Sequence, residues 1–172
     1  MISPEKLIKV LKKNQIEFVT GVPDSVFKSV CFAFEKKISK NKHISAANEG
    51  AAIALAIGYH LATNKIPLVY LQNSGIGNAL NPLISLVNKN VYKIPMLLFI
   101  GWRGEMKGNK HIKDEPQHFY QGKITIDQLN LLGIRHIKIN RTSNISLTIK
   151  NAKNLALKKS QPVAILIRKN TF

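Results

Sequence analysis

Three apolar runs, at residues 67–71, 94–100 and 162–167, constrain the fold of this chain more than any other feature. Each is too short for a helix of ordinary length and too uniformly apolar to leave one face in water. Each therefore reads as a strand covered on both sides. Weaker strand signals lie at 17–22, 43–47 and 135–139. Helical periodicity fills the intervals. A first helix opens at Ser3-Pro4 and carries Leu7, Ile8, Val10 and Leu11. A second begins at Asp24-Ser25 and carries Val26, Phe27, Val30, Cys31 and Phe34. Further helices are expected at 49–64, 78–88, 125–132 and 144–159. Strict alternation of apolar strands with helices predicts an α/β fold: a mostly parallel central sheet of about six strands with helices on both faces.

At 172 residues the chain is long enough for one domain with a full core, so 1–172 is expected to form a single unit. Ligands of such sheets bind beyond the carboxyl ends of the strands. That rule directs attention to four places: Gly21-Val22-Pro23-Asp24-Ser25, Asn48-Glu49-Gly50, the loop from Gln72 to Asn78, and Gly101-Trp102-Arg103-Gly104. The polar segment 101–122 exceeds an ordinary connection and is expected to be irregular, and either functional or mobile.

Charge invites a different view. Lysine and arginine number 26 against nine acids, for a formal net charge of +17. The bases are mostly lysines spread along the whole chain, with no arginine-rich tract and no zinc-finger spacing, so solvated helix faces explain them better than a nucleic-acid surface. The excess would still attract an anionic small molecule or an acidic partner. No apolar run approaches the roughly 20 residues that cross a bilayer, and the N-terminus lacks the order of a signal peptide. A single cysteine, Cys31, sits among apolar residues as a packing group, so nothing calls for an oxidising compartment and the cytoplasm is expected.

Against so basic and apolar a background, Glu49 stands out. It heads the run Gly50-Ala51-Ala52-Ile53-Ala54-Leu55, where an unpaired carboxylate is costly and small neighbours allow another body to come close. It could also be a plain N-terminal carboxylate stabilised by the helix dipole. Gly75-Ile76-Gly77-Asn78 after a strand lacks the third glycine and the later acid of a dinucleotide-binding turn. Its glycines suit a tight turn and a close approach of backbone to ligand. Pro23-Asp24-Ser25 before a helix can serve as an ordinary cap, and Arg103 could pair with Glu105 on the surface.

Taken together, Gly21-Val22-Pro23-Asp24-Ser25, Asn48-Glu49-Gly50, Gln72-Asn73-Ser74-Gly75-Ile76-Gly77-Asn78 with Asn81-Pro82, Gly101-Trp102-Arg103-Gly104-Glu105 and Lys113-Asp114-Glu115-Pro116-Gln117-His118 resemble the thiamine diphosphate-dependent decarboxylases of 2-oxo acids. Within them the chain resembles the phosphonopyruvate and sulfopyruvate decarboxylases, and the resemblance spans essentially the whole chain in their pyrimidine-binding domain. It implies that Glu49 activates the cofactor by hydrogen-bonding its pyrimidine ring, with Pro23, Gly75 and Asn78 also against the cofactor. It implies Asp24 and His118 as proton-transfer groups, and Gln72, Asn73, Ser74, Trp102, Arg103 and Lys113 around the substrate. Arginine offers a fork of donors suited to a phosphonate or carboxylate.

The same resemblance implies thiamine diphosphate as cofactor, with Mg²⁺ held by a second, diphosphate-binding domain. That domain's Gly-Asp-Gly start does not occur in this sequence, and no residue here is expected to bind metal. The chain is thus expected to supply half a site and to work in a homo- or hetero-oligomer, with neither nucleic acid nor membrane as partner. The implied reaction converts phosphonopyruvate to phosphonoacetaldehyde and carbon dioxide. Sulfopyruvate as substrate, or a non-catalytic regulatory domain of the same fold, are the alternatives.

Overall fold

A computed structural model describes residues 1–107, 110–112 and 114–172. Six parallel strands form the central sheet: β1 (Val19–Gly21), β2 (His43–Ser45), β3 (Leu68–Gln72), β4 (Leu97–Gly101), β7 (Arg135–Ile139) and β8 (Val163–Ile167). Their order is β2-β1-β3-β4-β8-β7, so the three uniformly apolar strands occupy the middle. A separate antiparallel pair, β5 (Met106–Lys107) and β6 (Lys110–His111), stands beyond β4.

Alternation along the central strands sorts their side chains onto two faces. Leu68, Tyr70, Leu97, Phe99, Val163 and Ile165 face α1 (Pro4–Lys13), α2 (Lys28–Lys37) and α6 (Ile145–Lys159), meeting Leu7, Leu11, Val30, Phe34, Ile149 and Ala152. Val69, Leu71, Leu98, Ile100, Ala164 and Leu166 face the other way. There they meet α3 (Glu49–Thr63), α4 (Ile76–Ser85) and α5 (Pro116–Leu131) through Ala52, Ile53, Ala56, Ile76, Ala79 and Leu129. Burial on both faces is the reason these strands can be apolar throughout.

Caps fix the helix starts. Ser3 accepts from the Lys6 N–H, Asn48 from Ala51 and Asn144 from Leu147. Two segments depart from expectation. The helix anticipated at Asp24 is a 3-10 turn, Ser25–Phe27, that runs into α2 only at Lys28. The helix anticipated at 125–132 begins nine residues earlier, at Pro116, so the segment 101–122 is irregular only in part. Its periodicity was faint because the positions it buries first are Gly122 and Thr125, which carry no apolar signal.

Candidate active site

The carboxyl edge of the sheet collects most of the singled-out residues in two connected groups. The first surrounds Glu49 at the start of α3. Its side chain is almost fully buried, and Asn78 Nδ2 from α4 donates to Oε2 at 2.8 Å. Among the described residues Oε1 accepts no hydrogen bond. Gly75 lies directly behind the carboxylate: a Cβ there would come within 2.4 Å of Oε1 and 2.5 Å of the carboxyl carbon. Any larger residue would push Glu49 out of place. One oxygen is thus anchored, and the other has no hydrogen-bond partner among the described residues.

The second group centres on Asp24, which follows β1. Oδ1 accepts from the Val26 N–H and from Gln72 Nε2, both at 3.2 Å. Oδ2 is buried without a hydrogen-bond partner among the described residues, and it presses on Gly101, where a Cβ would lie 1.6 Å away. Burial raises the Asp24 pKa, outweighing its hydrogen bonds and the attraction of Arg103. Pro23 and Asp24 share an apolar cleft of about 440 Å³ with Cys31, Phe32, His43 and Tyr70. Burial also pushes the Cys31 thiol up, as befits a packing residue.

Arg103 is spoken for, though by Asp114 and not by Glu105. Its Nε donates to Asp114 Oδ2 at 2.9 Å and its Nη2 to Asp114 Oδ1, while Nη1 donates to Ser25 Oγ at 2.8 Å. Two of its five N–H donors remain without a partner among the described residues. Glu105 is buried and takes Arg168 instead. The Arg103 fork holds the Asp114 carboxyl far below the ordinary range. His118 Nδ1 lies 3.0 Å from Asp114 Oδ1. A carboxylate there fixes the proton on Nδ1 and leaves Nε2 to give or take one.

The loop residues divide. Gln72 and Ser74 belong to the Asp24 group, with Ser74 Oγ donating to Gln72 Oε1 at 2.7 Å. Asn73 is fully buried; its amide donates to the Arg103 carbonyl and Thr125 Oγ1 and accepts from the Arg103 N–H, so it ties the β3 and β4 loops to α5. Trp102 is also buried, its Nε1 donating to the Gly122 carbonyl at 3.1 Å, yet it lines a cleft of about 370 Å³ with Ser25, Lys28, Arg103 and Lys169. Lys113 lies outside the described residues. Lys28 and Lys169 were not singled out from sequence. The carboxyl-end rule, applied past β8 as well, could have found Lys169, whereas nothing separated Lys28 from the other helix lysines. No group of three or more metal-ligating side chains occurs among the described residues.

With that geometry in view, residues 4–131 match the family model of the thiamine pyrophosphate enzyme, N-terminal TPP binding domain. The chain belongs to the thiamine pyrophosphate enzymes. Among the relatives of this N-terminal domain is the sulfopyruvate decarboxylase subunit alpha of Methanococcus maripaludis, 32% identical over 97% of this chain and 95% of that protein. The phosphonopyruvate decarboxylase of Streptomyces viridochromogenes is 35% identical over 76% of this chain and 31% of its own length. Benzoylformate decarboxylase from Polynucleobacter necessarius shares the fold, with a TM-score of 0.67 at 19% identity over 98% of this chain; the chain spans 30% of that structure.

Proposed function

We propose that this chain is the pyrimidine-binding half of a thiamine diphosphate-dependent decarboxylase acting on a 2-oxo acid with a second anionic group. The observation that carries the proposal is Glu49: a buried carboxylate with Oε2 fixed by Asn78, Oε1 open and Gly75 clearing the space behind it. These residues suit the aminopyrimidine ring, whose protonated nitrogen would be a donor for Oε1. When bound, the cofactor supplies an electron sink for the pair left by departing carbon dioxide. Glu49 holds the proton balance of the ring, Asp24 and His118 exchange protons with the reacting groups, and the burial of Glu49 and Asp24 limits access of water to those two.

Arg103, Lys28 and Lys169 set three cations against Asp114 around one cleft, a field suited to an anionic substituent. Phosphonopyruvate is the leading substrate, giving phosphonoacetaldehyde and carbon dioxide. Sulfopyruvate is the second, supported by the 32% identity to the sulfopyruvate decarboxylase subunit alpha over 97% of this chain. The diphosphate and its Mg²⁺ would be held by a partner domain or subunit in a homo- or hetero-oligomer. Support for such a partner comes from α3, whose outer face carries only small and apolar groups: Ala54, Leu55, Gly58, Leu61 and Ala62, all exposed, beside exposed Leu80 and Ile84 of α4. An apolar surface of this kind marks an interaction site. No helix among the described residues is long and apolar enough to cross a membrane, which is compatible with work in the cytoplasm.

The test is decarboxylation of phosphonopyruvate and of sulfopyruvate by this chain mixed with a diphosphate-binding subunit, thiamine diphosphate and Mg²⁺. Turnover that requires both chains is expected. A stable complex inactive on both substrates would leave a regulatory domain as the better account.

A further inference from the structure

A cleft of about 410 Å³ opens at the amino ends of the strands, on the edge of the sheet opposite Arg103. Separate connections build it. The loop after α4 supplies Lys89 and Asn90. The end of α5 supplies Asn130 and leads to Arg135, the first residue of β7. The end of α6 supplies Lys159 and, beyond its cap, Gln161. Three cations thus share one cleft, and no carboxylate lines it. The excess of 26 bases over nine acids does not by itself produce this. Four other clefts, of 370–440 Å³, each contain an acid: Asp114, Glu17, Glu35 and Glu105. Asp127, the nearest acid in sequence, lies one turn back from Asn130 on α5 and does not line the cleft.

None of the three cations has an ion pair among the described residues, whereas Arg103 engages Asp114. The side-chain amides of Asn90 and Asn130 likewise make no hydrogen bond there, and Gln161 Nε2 donates to the Gly133 carbonyl at a long 3.3 Å. Helices α5 and α6 end at this cleft, and bare carbonyls at helix ends repel anions. Here those carbonyls are covered: Leu129 and Asn130 accept from the Ile134 and Gly133 N–H groups, and Ala156 and Leu157 from those of Gln161 and Ser160. We propose that this cleft binds a polyphosphate group, carried by a nucleoside triphosphate or by a free inorganic chain. Arg135 offers a flat fork of donors, Lys89 and Lys159 offer point charges, and the amides offer neutral donors that add no repulsion. Cations from three connections around one such volume suit linked phosphates better than a single small anion. No residue of the cleft lies at the carboxyl edge, so the site does not rest on the decarboxylase proposal.

The test is calorimetric titration of the purified chain with inorganic tripolyphosphate and with adenosine triphosphate, at an ionic strength of about 0.15 M that screens scattered surface charge. Saturable binding at one site is expected, with sulfate far weaker. Replacing Lys89, Arg135 and Lys159 together by alanine should weaken that binding about tenfold or more. A control triple, Lys9→Ala, Lys13→Ala and Lys36→Ala, removes the same charge from α1 and α2 and should change it by less than about threefold. All six side chains are exposed, so both variants should fold. On the unaltered chain, ¹⁵N-resolved amide shifts should move at 89–90, 130–135 and 159–161. Equal affinity for the two ligands would identify the phosphate chain as the recognised group, and tighter binding of adenosine triphosphate would add the nucleoside to it. Equal losses in the two triples, shifts centred on Lys28 and Lys169, or no saturable binding would each overturn the proposal.

Discussion

Replacing Asp114 with asparagine should destabilise this chain more than any other isosteric change in the site. The carboxylate accepts from Arg103 Nε and Nη2, from the N–H groups of Gly104 at 2.8 Å and Glu115 at 2.9 Å, and from His118 at 3.0 Å. Asparagine keeps one acceptor oxygen and turns an NH₂ toward donors that have nowhere else to go. The Arg103 and Asp114 side chains are only 20% and 14% exposed, so water replaces little of what is lost. Two charge-assisted bonds at roughly 1.5–3 kcal/mol each, less the contacts asparagine retains, give a cost of about 3 kcal/mol. For a domain of this size each kcal/mol moves the melting temperature by roughly 2–4 °C, so Asp114→Asn should lower it by about 6–12 °C at pH 7. The pH dependence follows from the depressed folded pKa. The Asp114 contribution is complete above its unfolded value of 3.8 and is lost as pH falls below that toward the folded value. Calorimetric melts of both proteins from pH 7 down to pH 3 measure this. A deficit under about 2 °C at pH 7, or one that does not narrow in acid, would refute the idea that Asp114 anchors the loop.

Glu49→Gln in the complete enzyme should cut kcat by about 100-fold or more, since the amide cannot favour a protonated ring, yet leave the melting temperature nearly unchanged because it can still accept from Asn78. Gly75→Ala should reach a similar loss by displacing Glu49, and a crystal structure of the variant with the carboxylate unmoved would contradict the steric account. Asp24→Asn should flatten the pH dependence of stability: the raised folded pKa makes the parent lose stability as pH climbs above 3.8, and melts across pH 4–8 would expose any slope that survives in the variant. Arg103→Ala should raise KM for the anionic substrate, and an unchanged KM would move Arg103 out of the substrate cleft.

Much of the architecture was legible in the residues. Uniformly apolar strands at 67–71, 94–100 and 162–167 could be satisfied only in the middle of a doubly covered sheet, and they lie there. The carboxyl-end rule and the odd acid in an apolar run mark Glu49, Gln72 and Arg103 from sequence alone. The early start of α5 was hidden, because its inner face uses Gly122 and Thr125, whose fitness depends on what they touch. Asn73 illustrates the same limit. As a polar loop residue it reads as a ligand contact, whereas its amide is consumed in joining two loops to a helix.

Pattern and composition alone thus determined the fold class and the edge on which chemistry gathers, since hydrophobic periodicity is a local property that each segment carries with it. Which oxygen of Asp24 is bare, which acid Arg103 takes and what backs Glu49 were decided only by the tertiary structure. These depend on contacts such as Gln72 with Asp24, 48 positions away, and Gly75 with Glu49, brought together by strand order and close packing. No local pattern encodes such distances, because they are properties of the packed whole.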